Sequence, residues 1–140
     1  MSIRDPESVW SDYHAGKKSQ RLGEAEVLWS LMEKNGVTEA TVLAIDFVHF
    51  APSRAGADAL ADQLREHYTM EVRPASEDGY WYVTGTTRPY GLNLSRADHA
   101  GWVEFMSDVA RSHACVFSTW SIEAPALKQW FRSEDIESAG

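Results

Sequence analysis

The stretch Thr41-Val-Leu-Ala-Ile-Asp-Phe-Val-His-Phe50 decides the fold of this chain. It is rich in β-branched and aromatic residues, has the length of a strand, and stops before Pro52, which has no N–H to continue a central ladder. A strand sends alternate side chains to opposite faces. Leu43, Ile45 and Phe47 therefore share one side, which we assign to the core, while Val42, Ala44, Asp46, Val48 and Phe50 share the other. That second set is largely apolar around its one carboxylate. Such a face calls for a cover, supplied by the leading helix, the C-terminal tail or a second copy in a homodimer.

Downstream, Ser53 is placed to cap a helix whose apolar positions Ala57, Leu60, Ala61 and Leu64 recur at three and four. Tyr68 to Pro74 alternates in the manner of a strand, Glu77-Asp-Gly79 offers a hairpin turn, and Tyr80 to Thr87 reads as the returning strand. Ser95 and Asp98 form a capping pair ahead of an apolar face of Trp102, Phe105, Met106 and Val109. Ala114 to Glu123 is the last strand, closed by Pro125 and followed by Trp130 and Phe131.

Upstream, Ala25, Leu28, Leu31 and Met32 mark a helix over 22–35 with a stop at Asn35-Gly36, and Lys17, Lys18 and Arg21 with Gly16 and Ser19 read as a loop between two helical pieces. The order is βαββαβ. Right-handed crossovers then predict an α+β, ferredoxin-like two-layer sandwich with a four-stranded sheet, preceded by an N-terminal helical segment. The expected divisions are a helical extension over 1–36, the sandwich over 37–125, and an aromatic and acidic tail over 126–140.

The 140 residues are 44% apolar and 11% aromatic, enough for a packed core and against disorder as the overall state. No apolar run exceeds four residues, too short for a membrane crossing. The first residues show no apolar stretch behind a basic start, so no leader is expected and the cytoplasm is the expected compartment. Cys115 is the one cysteine, which removes intramolecular disulfides and thiolate zinc clusters; Val116 and Phe117 beside it favour a small buried hydrophobe. The net charge is −8. This acid excess argues against binding nucleic acid through phosphate neutralisation and for a basic partner.

Asp58, Asp62 and Glu66 form an acidic stripe opposite the apolar face of their helix, and Glu104 with Asp108 repeats the spacing on the next, although Arg54 and Arg65 dilute the field. Like charges four apart repel by a few tenths of a kcal/mol, so Asp58, Asp62, Glu66 and Asp108 are the candidates for steering a Lys/Arg-rich segment. An ordinary solvated face is the simpler account. A second candidate is a pocket on the open face around Asp46, Phe50, Tyr80 and Tyr82. Those aromatics resemble an RNA-stacking platform only superficially, since the strand from Tyr80 lacks the basic and glycine positions of that motif and Glu77 and Asp78 put acid where phosphate would lie. The simplest role for Asp46 is an ion pair with a neighbouring strand's Arg or Lys. The five histidines, at 14, 49, 67, 99 and 113, show no metal-ligand spacing, and no nucleophile elbow, phosphate loop or dinucleotide fingerprint is present. Neither a catalytic residue, a cofactor nor a metal is expected. Gly85 reads as a bulge or close-approach glycine and Gly91 as a turn glycine.

Over residues 39–124 the chain resembles the regulator of ribonuclease E activity B (RraB)-like family. The resemblance rests on Asp46-Phe-Val-His-Phe50, the helix from Ala59-Leu60 to Tyr68, Tyr80-Trp-Tyr-Val83, the helix to Ala110, and Phe117-Ser-Thr-Trp120. It keeps the aromatic at Phe117 and Trp120 and has Ser118 and Thr119 where the family carries Asp and Gly. Glu134, Asp135 and Glu137 stand where the best-known members have a long acidic tail. The resemblance implies a ferredoxin-like domain without chemistry of its own that docks on the basic non-catalytic region of a ribonuclease.

Overall fold

A computed structural model describes residues 6–75 and 79–137. In chain order the elements are α1 (Pro6–Lys34), β1 (Ala44–Ala51), α2 (Arg54–Leu64), β2 (Thr69–Pro74), β3 (Trp81–Thr86), α3 (Arg96–Ser112), β4 (Val116–Ala124), a 3-10 turn (Pro125–Leu127), β5 (Gln129–Arg132) and α4 (Ser133–Glu137). The strands form one sheet in the order β2-β3-β1-β4-β5, with every neighbouring pair antiparallel. β1 is the middle strand. Among the described residues no helix is long and apolar enough to cross a membrane.

The helix starts follow their caps. Ser53 Oγ accepts from the Gly56 N–H at 3.1 Å, and Ser95 and Asp98 exchange reciprocal bonds of 3.0 and 3.1 Å. α2 buries Ala57, Leu60, Ala61 and Leu64, as its periodicity requires. α3 buries His99, Val103, Met106, Val109 and Ala110, but Phe105 is 48% exposed. The stripe is centred on Val103 and Met106, and Phe105 lies two residues, about 200° of helical rotation, from Val103. The same displacement turns Leu31 outward on α1 and Trp29 inward.

On β1 the assigned face holds: Ile45 and Phe47 are buried, with Leu43 just ahead of the strand and His49 beyond them. Opposite them on β4, Phe117, Trp120 and Ile122 are also buried, although Phe117 and Trp120 are three residues apart and a regular strand would separate them. A register shift reconciles this. Val48 faces Thr119 and His49 faces Phe117, so Ser118 is the extra residue of a bulge.

Two expectations need correction. The region of Lys17, Lys18 and Arg21 is no loop, because α1 runs unbroken for 29 residues. Gly16 costs a helix about 1 kcal/mol, but the Lys, Gln and Arg around it are good helix formers, and tertiary contacts hold the turn. Arg21 is buried: its Nη1 pairs with Glu24 at 2.9 Å and its Nε donates to the Phe117 carbonyl at 3.0 Å, at the end of β4 that β5 does not reach. Nor has the sheet four strands. The tail turns through Lys128, at φ 55°, and returns as β5 against Ser121–Ala124, burying Phe131 and leaving Trp130 exposed. The turn expected at Glu77 and Asp78 lies outside the described residues; Gly79, at φ 85°, adjoins it.

α1 packs antiparallel to α3, through Ser11 with Arg111, Lys18 with Asp108, and Glu26 and Glu33 with Arg96. Its Ala25, Leu28, Trp29 and Met32 enter the same core as the sheet and the central helices. The leading helix thus lies on the helical side and the tail lengthens the sheet. Among the described residues the middle of the other sheet face stays uncovered.

Candidate functional site

That open face holds two concavities. The first is a trough of about 500 Å³ over the sheet centre, reached by alternate side chains of four strands: Thr69 and Glu71, Thr84 and Thr86, Asp46 and Val48, Thr119 and Ser121, with Glu134 of α4 at one side. Its polar lining is hydroxyl and carboxylate, and Phe47, Val48, Met70 and Trp120 supply the apolar part. Asp46 is anchored at the centre, where its Oδ1 accepts from Thr86 Oγ1 at 2.5 Å and from Arg88 Nε at 3.2 Å, while Oδ2 accepts from Arg88 Nη2 at 3.3 Å. Arg88 Nη2 also reaches Glu123 at 2.8 Å, and the guanidinium lies 5.3 Å from the Trp130 ring centroid. Hydrogen bonding to Asp46 first, and then to Glu123, holds the guanidinium even more firmly protonated than usual. The ion pair proposed for Asp46 is therefore present, with Arg88 as the partner.

The second concavity is an aromatic cleft of about 710 Å³, walled by Val9, Trp10 and Tyr13 of α1 on one side and Phe50, Pro52, Tyr80 and Val116 on the other. Phe50 and Tyr80 stack at 4.8 Å between centroids, Tyr82 is 5.8 Å from Phe50, and Trp10 stacks on Tyr13 at 5.8 Å. The structure splits the pocket expected from Asp46, Phe50, Tyr80 and Tyr82. Its three aromatics gather, but Asp46 is four residues back along β1, about 13 Å, and belongs to the trough.

The acidic stripe is largely answered within the chain. Asp58 pairs with Arg54 at 3.6 Å and Asp62 pairs with Arg65. Glu66 lies past the end of α2, which stops at Leu64, and is exposed. Asp108 turns toward α1, where Lys18 holds it at 3.0 Å and Glu104 at 3.9 Å. The stripe on α2 and Asp108 therefore do not make one surface.

Three buried groups escaped the sequence reading. His49 is fully buried, with neither ring nitrogen partnered among the described residues, and packs between Phe47 at 5.7 Å and Phe117 at 5.1 Å; burial lowers its pKa to about 3. His99 Nε2 accepts from Trp120 Nε1 at 3.1 Å, and burial first, then Arg96, lowers its pKa to about 4. His14 on α1 is buried, its Nε2 without a partner among the described residues. The signal for His49 was available, since it shares its parity with Ile45 and Phe47. Cys115 is the buried hydrophobe anticipated, and burial pushes its thiol up to about 11. Among the described residues no three His, Cys, Asp or Glu side chains gather as metal ligands.

No family model matches the sequence, and no curated protein matches it either.

Proposed function

We propose that this chain is a non-catalytic regulatory or adaptor protein that seats a basic protein segment on its open sheet face. We read the fold as a ferredoxin-like sandwich extended by α1 and β5, and, on the resemblance in residues 39–124, the protein as a divergent RraB-like modulator of ribonuclease E-type RNA decay. The observation that carries the binding role is the trough. Three carboxylates and five hydroxyls, interspersed with Phe47, Val48, Met70 and Trp120, line an uncovered face of a chain with net charge −8 and supply acceptors for Lys and Arg N–H donors. The strongly shifted groups, His49, His99 and Cys115, are buried in the core and not gathered in the trough, which favours binding over proton transfer there.

The test is a titration of the full chain with a fluorescent peptide from the basic non-catalytic region of a ribonuclease. Binding should weaken steeply as salt rises from about 20 to about 200 mM. Reversing Glu71, which pairs with Arg73 at 3.7 Å, and Glu134 together to Lys should weaken it about tenfold, whereas reversing Asp58, Asp62 and Glu66, which do not line the trough, should cost less than about threefold at the higher salt. Absence of binding at low salt ends the proposal, and a larger loss from the α2 triple moves the seat to the helix.

A second reading, a small planar ligand in the aromatic cleft, is favoured by the stacked pair Phe50–Tyr80. A saturable change in tryptophan emission that Tyr80→Ala abolishes would support it.

A further inference from the structure

We propose that the N-terminal half of α1 is an acid-released strap that forms one wall of the aromatic cleft and leaves it when His14 is protonated. The two halves of this helix are held differently. The second half buries Ala25, Leu28, Trp29 and Met32 in the core, whereas within 9–20 His14 alone is buried. That first half carries Val9, Trp10 and Tyr13, which wall the cleft and are exposed on their outer sides. Its attachment therefore rests on polar contacts, the partly covered Trp10 and one buried imidazole.

The surroundings of His14 suit a neutral ring and not a cation. Its Nε2 has no partner among the described residues, and Trp10 packs against it at 4.3 Å with the rings at 81°. From α3 the charged group beside it is Arg111, whose Nη2 also donates to Ser11 Oγ of the strap at 2.9 Å. Asp108, one turn earlier on α3, is engaged by Lys18 at 3.0 Å, with Glu104 at 3.9 Å from the same ammonium. His113, at the end of α3, is bonded to Gln63 of α2 at 2.6 Å. On α1 itself, Asp12 has an interaction of its own and Lys17 lies 5.7 Å from the Tyr13 ring centroid. From the sheet the cleft presents Phe50, Tyr80 and Val116, none of them charged.

The cation carries an N–H on both ring nitrogens, so the one at Nε2 is left without an acceptor, and it sets a second positive charge beside Arg111. Both burial and Arg111 lower the His14 pKa from 6.5. The docked strap binds the proton less readily than the free one, so docking is at full strength above pH 6.5 and is lost as pH falls below it. Release would expose the apolar wall of Phe50, Pro52 and Val116.

Amide hydrogen exchange on the full chain, corrected for the intrinsic rate at each pH, tests this. Protection within 9–20 should fall about tenfold between pH 7 and pH 5 beyond any loss within 25–34, which reports general destabilisation. His14→Leu should abolish that excess. Arg111→Gln keeps the imidazole in its packing; losing the Ser11 bond lowers protection within 9–20 at every pH, but removing the repulsive cation should shrink the fall between pH 7 and pH 5, and the variant also serves if His14→Leu leaves the strap undocked at pH 7. Protection that is insensitive to pH, or lost in step across both halves, overturns the proposal. So does an excess loss that survives His14→Leu, or an undiminished fall between pH 7 and pH 5 in Arg111→Gln.

Discussion

The two faces of the sheet come from the same strands yet treat polar atoms in opposite ways. Toward the helices, Phe47 meets Tyr68 at 5.0 Å and Trp102 at 5.6 Å, and Phe117 stacks on Trp120 at 5.3 Å. Among the described residues the imidazoles that enter that side are neutral rings, His49 without a partner and His99 with one. On the open side Asp46 has two partners and Arg88 two carboxylates, all within reach of water. The inner face depends on shape, so one missing ring leaves a void; the outer face depends on overlapping contacts that solvent can replace. Trp120→Ala should therefore cost about 3–5 kcal/mol. Thr119→Ala, its neighbour pointing outward, should change stability by less than about 0.5 kcal/mol. Denaturant melts of the two variants measure the contrast, and equal losses would break it.

Acidity should separate the faces next. His49 and His99 titrate near 6.5 when unfolded and at about 3 and about 4 in the fold, so below pH 6.5 the unfolded chain takes up more protons. The stability they confer as neutral rings is complete above pH 6.5 and declines through the window down to about 4 and then about 3. The slope should be on the order of 1 kcal/mol per pH unit for each histidine. Melts of the His49→Leu variant, which removes an unpartnered imidazole, should show a shallower decline between pH 6.5 and 4. A parallel curve would place the acid sensitivity elsewhere.

Gly85 is the point where the inner face tolerates no side chain at all. A Cβ there would lie 2.6 Å from Met70 Sδ and would press into the Phe47 ring, so Gly85→Ala should cost about 1–3 kcal/mol, read as a lowered unfolding midpoint. The close approach was legible in the sequence because a glycine inside a strand pattern has few other reasons to be there. The parity of β1 and the caps of α2 and α3 were legible for the same cause: each is a local rule acting over a few residues. What escaped depends on partners distant in sequence. Nothing local says that Arg21 will bond Phe117, which lets α1 run on. Nothing local says that Ser118 will bulge, which puts Phe117 and Trp120 on one side, or that 129–132 will find an edge to pair with. The candidate site was half legible on that account. Its residue types were visible, but the division between trough and cleft follows from where α1 lays Trp10 and Tyr13.

The smallest effect should come from the ion pair at the middle of the trough. Asp46 and Arg88 keep 37% and 39% of their side-chain surface exposed, so water screens their attraction and takes over as partner when either is removed. A double-mutant cycle of Asp46→Asn and Arg88→Gln should give a coupling below about 1 kcal/mol, and one that shrinks as salt rises. The same variants should act differently on binding. Arg88→Gln frees the carboxylates of Asp46 and Glu123 for an incoming cation and should tighten the basic peptide, whereas Asp46→Asn should loosen it. A coupling of several kcal/mol would mean that the pair is structural like the core beneath it, and the opposition between the faces would collapse at its centre.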